Sequence, residues 1–71
     1  MKLKIKLQPN LLSIERVINL LRKRRYEVKS VKLDLKKDSC EIKVAFENMD
    51  KAKFINAKKQ LEKIVEVEEV K

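Results

Sequence analysis

The chain has 71 residues and a formal net charge of +8, with 19 lysines and arginines against 11 acidic side chains. A chain of this length is read as one domain, residues 1–71, which buries only roughly 60% of the surface its unfolded form exposes, so a partner or a second copy is expected. Histidine is absent and Cys40 stands alone, which leaves no internal disulfide, zinc cluster, Cys-His pair or Ser-His-Asp triad; neither catalysis by this chain nor a cofactor of its own is expected.

No apolar run approaches the ~20 residues of a membrane span, and the amino-terminal M-K-L-K-I-K-L alternates where a signal peptide would be solidly apolar, so a cytoplasmic location away from membranes is expected. The charge is unevenly spread: Met1 to Lys37 carries 12 basic and 3 acidic side chains, Asp38 to Lys71 7 and 8. A +9 half invites a nucleic-acid reading. Charged residues make up 42% of the chain, however, against roughly one quarter in an average protein, and abundant Lys and Glu without glycine equally suit a thermophile's surface.

From Lys2 to Gln8, Leu3, Ile5 and Leu7 alternate with Lys2, Lys4 and Lys6, the pattern of a half-buried strand with an outer lysine stripe. Pro9 cannot donate to a ladder and Asn10 is a strong helix cap, so a helix is predicted from Leu11 to Arg24. Ile14, Val17, Ile18 and Leu21 fall on one face of it. Arg22, Lys23, Arg24 and Arg25 follow, where positive charge suits the negative end of the helix dipole.

At Tyr26 the period becomes two: Tyr26 and Val28 share one parity, and Val31, Leu33 and Leu35 the other. A strand keeps its buried face through such a change only by inserting a residue, which predicts a bulge near Lys29 and Ser30. Lys36 to Ser39 form a polar turn, and without glycine a loop longer than the tightest hairpin is expected. Cys40, Ile42, Val44 and Phe46 then alternate with Glu41, Lys43, Ala45 and Glu47 in a third strand, with Cys40 as a small buried apolar residue. Asn48 or Asp50 caps a second helix from about Lys51 to Lys63, with Phe54, Ala57, Lys58, Leu61 and Ile64 along one face. Val65 to Val70 reads as a short last strand.

The order β-α-β-β-α-β predicts a ferredoxin-like α+β sandwich: one four-stranded antiparallel sheet, strand order 4-1-3-2, with two helices on one face. In that order the lysines of the first strand stand between Glu66 and Glu68 on one side and Glu41 and Glu47 on the other, a favourable cross-strand pattern. The open face then carries Lys4, Lys6, Lys43 and Ala45 and no aromatic side chain. RNA binders of this architecture place stacking aromatics there, so the pattern argues against nucleic acid.

Two stretches resemble a known family: E-R-V-I-N-L-L-R-K-R-R-Y-E-V-K-S-V from Glu15 to Val31, and Q-L-E-K-I-V-E-V-E-E-V from Gln60 to Val70. They are similar to the ACT domain of the small regulatory subunit of acetolactate synthase (acetohydroxyacid synthase), in its short single-domain form. The family's Arg-Val pair, basic-basic-Gly-aromatic corner, bulged strand and closing Q-L-x-K motif correspond to Arg16 and Val17; Lys23, Arg24 and Tyr26; Val28, Ser30 and Val31; and Gln60, Leu61 and Lys63.

The resemblance implies a noncatalytic, dimeric subunit that binds and activates the large thiamin-diphosphate-dependent subunit of branched-chain amino-acid biosynthesis. Arg16, Arg22, Arg24, Arg25 and Tyr26 are its candidate contacts to that partner or to a second copy. Family members that sense a branched-chain amino acid hold it against an N-x-P-G loop before the first helix, where backbone N–H groups meet the carboxylate and glycine admits the ligand. The corresponding effector-site candidates are Asn10, Leu11 and Leu12, with Leu12 in the glycine position and Leu11 in the proline position. A leucine there fills space the effector needs, so the expectation is activation by binding rather than feedback sensing. A stand-alone amino-acid sensor is weakened by the same substitution, and a metal chaperone would need a Cys-x-x-Cys pair that is absent.

Overall fold

The computed structural model describes Met1–Lys71. Its elements are β1 (Lys2–Leu7), α1 (Leu11–Lys23), β2 (Val28–Leu35), β3 (Cys40–Phe46), α2 (Lys51–Glu62) and β4 (Val67–Val70). The strands form one antiparallel sheet in the order β2-β3-β1-β4, the ferredoxin-like arrangement that the sequence predicts. No helix is long and apolar enough to cross a membrane.

The core forms where β1 and β3 pair. Leu3 faces Val44, Ile5 faces Ile42 and Leu7 faces Cys40, and all six are buried. Val17 and Leu21 of α1 and Leu61 of α2 close over them, and Val70 of β4 completes the cluster. Asp50 caps α2 by accepting from the Lys53 N–H at 2.8 Å, the second of the two expected caps.

Helix α1 is rotated from the expected face. Ile18 is substantially exposed, and Ser13 takes a buried place in line with Val17 and Leu21. Asn10 is the reason: its Oδ1 accepts from both the Ser13 N–H and the Ser13 hydroxyl, each at 2.9 Å. With its hydrogen bond made, the hydroxyl can leave water at little cost.

The bulge in β2 is present, since Val28 pairs with Phe46 but Ser30 with Ala45, leaving Lys29 extra. The strand nevertheless buries none of its residues. Val31, Leu33 and Leu35 lie beside the buried Val44, Ile42 and Cys40, yet β2 is an edge strand and they stay 44%, 50% and 47% exposed. β4 begins later than expected, at Val67, because Ile64 to Val67 makes a turn closed by a 3.0 Å backbone bond. A register shift between Lys6 and Leu7 then sets Glu69 opposite Lys6, where Glu66 and Glu68 were expected to flank the lysines.

The corner after α1 solves a stereochemical problem without glycine. The Arg25 N–H bonds to the Arg22 carbonyl at 3.1 Å and the Tyr26 N–H to the Leu21 carbonyl at 3.4 Å, which requires Arg25 to sit in the left-handed region, at φ 55. Such a conformation costs a side-chain-bearing residue roughly 1–2 kcal/mol. Arg25→Gly should therefore stabilise the fold by about 0.5–1 kcal/mol after the added freedom of the unfolded chain is subtracted. Thermal unfolding followed by circular dichroism would show a midpoint several degrees higher, and an unchanged or lower midpoint would refute the strain.

Candidate functional site

Three surfaces gather the residues singled out in the sequence. The first is the β1–α1 corner. Leu11 and Leu12 are 76% and 54% exposed, an apolar pair standing at the amino terminus of α1. Asn10 is exposed, and its side-chain oxygen is committed to Ser13. The corner therefore presents leucine side chains where an effector loop would present open backbone.

The second surface is a groove of about 490 Å³ between α1 and the segment that leads from α2 into β4. Two polar pairs join its walls. Arg16 Nε lies 3.4 Å from Glu66 Oε2, and Arg24 Nη2 donates to Gln60 Oε1 at 3.2 Å. The rim carries Arg16, Lys23, Arg24 and Lys63, while Leu20, Ile64 and Val65 supply apolar surface, with Val65 88% exposed. The one ion pair, Arg16–Glu66, has a 55% exposed arginine and a glutamate that is only 15% exposed, and with water screening it from the arginine side it stabilises by no more than about 1 kcal/mol. The effect of the two pairs is to fix two guanidinium groups along one cationic, apolar-lined channel.

Arg22 does not line that channel but donates to Asn19, which does, at 3.1 Å. Lys63, Ile64 and Val65 were not among the sequence candidates. Their signal was masked because Val65 and Val67 have the same parity, so a turn and a strand look alike in hydropathy.

The third surface is a polar hollow of about 300 Å³ around Arg24, Arg25, Glu27, Glu47 and Lys53, in which cations and carboxylates nearly balance. Asn48, the second left-handed residue at φ 49, donates to Glu27 Oε2 at 2.8 Å. Tyr26 belongs to the packing beneath the hollow. Its ring meets Phe46 edge-on at 6.0 Å, and Phe46 meets Phe54 in the same way at 6.4 Å. The Tyr26 hydroxyl is buried with no hydrogen-bond partner, while the residue as a whole is half-buried and lines the hollow.

The open face of the sheet shows what each lysine meets. Lys6 stands between Glu41 and Glu69, as the charge pattern requires, but Lys4 faces Lys43 and exchanges backbone hydrogen bonds of 2.9 and 2.8 Å with Lys71. Both phenylalanines and Tyr26 lie against the core, which leaves this face without an aromatic platform for a base. No cluster of three or more His, Cys, Asp or Glu side chains is arranged to hold a metal. Cys40 is buried, and that burial, reinforced by the negative charge of Asp34, pushes its thiol above its ordinary pKa.

A ferredoxin-like sandwich that carries a lined groove and a buried, protonated thiol has the build of a small binding module. A family model described as the ACT domain matches residues 10–70, a span that includes both sequence stretches discussed above. The chain belongs to the ACT domain family, whose members are regulatory rather than catalytic domains. The crystal structure of the ACT domain from GTP pyrophosphokinase of Chlorobium tepidum has the same fold, with a TM-score of 0.78 over 99% of this chain and 91% of that chain, at 14% identity. No curated protein matches the sequence.

Two substitutions separate the roles at the corner. Tyr26→Phe should leave stability unchanged or raise it, because it removes a buried hydroxyl that has no partner, whereas Tyr26→Ala should cost about 3 kcal/mol of packing. Urea unfolding of both variants tests this; a Phe variant as unstable as the Ala variant would mean that the hydroxyl is bonded. Cys40 should react with a thiol reagent only at the rate of unfolding at pH 8, and immediately in guanidinium. Fast native labelling would contradict its burial.

Proposed function

We infer that the chain is a noncatalytic regulatory subunit that binds and activates the large thiamin-diphosphate-dependent subunit of acetolactate synthase. One observation carries this reading. The two stretches that resemble the small subunit of that enzyme lie far apart in sequence, yet they form the two walls of one groove and are tied across it by Arg16–Glu66 and Arg24–Gln60. Membership in a family of regulatory domains is consistent with it.

The groove suits a partner segment of mixed acidic and apolar character: carboxylates would meet Arg16, Lys23, Arg24 and Lys63, and an apolar side chain would cover Val65. Docking raises activity if the subunit binds the competent state of the enzyme more tightly than the other state. Amino-acid feedback is not part of this reading, since Leu11 and Leu12 occupy the corner where an effector would sit.

The test is reconstitution with the acetolactate synthase catalytic subunit from the same cell. Added chain should raise activity and stay bound at moderate salt, and valine or isoleucine should change neither. Val65→Asp and Lys63→Glu should each weaken binding about tenfold, the loss expected for one buried apolar side chain or one desolvated charge, without shifting thermal unfolding. If the chain neither binds nor activates, the assignment is wrong; retention of nucleic acid alone, falling steeply with salt, would point to the basic half instead.

A further inference from the structure

We propose that the open face of the sheet carries a binding site for a compact polyphosphate anion, in the hollow among Lys2, Lys4, Lys32, Lys43 and Lys71. The hollow has a volume of about 590 Å³ and is lined also by Ser30 and Ala45, whose small side chains leave room beside the lysines. Strand pairing puts them there, since Ala45 stands opposite Lys2 on one side and Ser30 on the other. In the neighbouring row Lys32 faces Lys43, Lys43 faces Lys4, and Lys4 exchanges two backbone hydrogen bonds with Lys71. Four exposed cations therefore cross four strands in three steps of about 4.8 Å, a row of roughly 14 Å.

This arrangement works against the fold. Like charges directly opposite one another are unfavourable in a sheet. No carboxylate lines the hollow, and of its five lysines only Lys43 and Lys71 reach one beyond it, at 3.9 Å to Glu41 and 3.1 Å to Glu69. Lys2, Lys4 and Lys32 are left without an acidic partner. A merely solvated surface gains nothing from such segregation, whereas an anion site does, because the ligand removes the repulsion as it docks.

The borders of the patch set the size and chemistry of the ligand. The next row reads Asp34, Glu41, Lys6 and Glu69, so the positive potential stops one row along the strands. A long polyanion or a flat anionic membrane would run onto those carboxylates, whereas a few condensed phosphates fit within the lysine row. Both phenylalanines and Tyr26 lie against the core, so a nucleic-acid base finds nothing here to stack on. The donors are ammonium groups and the Ser30 hydroxyl, with no arginine among them. Lysine is a compact charge with three freely turning donors, which suits an anion with many equivalent oxygens; bidentate recognition of a carboxylate calls for the planar fork of arginine.

Calorimetric titration of the full chain with sodium tripolyphosphate reads the result. One site is expected, with dissociation on the order of micromolar in ~20 mM salt and weaker binding as salt rises, while orthophosphate should not saturate over the same range. Lys4→Gln and Lys32→Gln should each weaken tripolyphosphate about tenfold, whereas Lys37→Gln and Lys59→Gln, equal in net charge but outside the hollow, should change it by less than about twofold. Without ligand, Lys4→Gln should raise the thermal midpoint, because it removes a cation from between two others. Failure of the wild type to bind, equal losses in all four variants, or a lowered midpoint for Lys4→Gln would each overturn the proposal. A single-stranded oligonucleotide that binds the same lysines more tightly than tripolyphosphate would overturn it in favour of nucleic acid. No catalytic subunit is present in the experiment, so its outcome is independent of the regulatory assignment.

Discussion

The contact on which this molecule depends is the pairing of Ile5 with Ile42 across the two central strands, covered by Val17 from one helix and Leu61 from the other. All four side chains are withdrawn completely from solvent. In a chain this short, little other apolar surface exists to hold the fold. The pairing also sets everything on the opposite face. A slip of one residue would turn every side chain of a strand over, so the register that buries Ile5 and Ile42 necessarily sends Lys4, Lys6, Glu41 and Lys43 outward in fixed rows. The surface charge pattern is thus a consequence of the core, and any partner that reads the pattern is reading the core register.

Lack of glycine is the second constraint, and it falls on the two corners at one end of the sheet. Arg25 and Asn48 both adopt the left-handed conformation, and both border the same hollow. Asparagine tolerates that conformation better than arginine because of its short polar side chain, which here also reaches across to Glu27, 21 residues away in sequence. Arginine has no such compensation, and the corner holds through the Tyr26–Phe46–Phe54 stack beneath it. The same packing that secures the turn draws the Tyr26 hydroxyl inward and leaves the residue half-buried at the floor of the hollow.

Periodicity made the sandwich, its strand order, both caps and the β2 bulge legible, because each follows from a local pattern with one physical solution. It did not foresee Ser13 in the core, since hydropathy cannot show that Asn10 will satisfy the hydroxyl. It also misjudged β2. Alternation reports which face a side chain takes, and Val31, Leu33 and Leu35 do take the helix face; it says nothing about whether a helix reaches far enough to cover them. The groove was half visible. Arg16 and Arg24 stood out by charge and by resemblance, whereas Lys63, Ile64 and Val65 emerged only once the turn before β4 brought them alongside. Asn10, Leu11 and Leu12 were legible as the entrance to α1, but the pair of hydrogen bonds from Ser13 that engages the Asn10 oxygen lies in side-chain geometry.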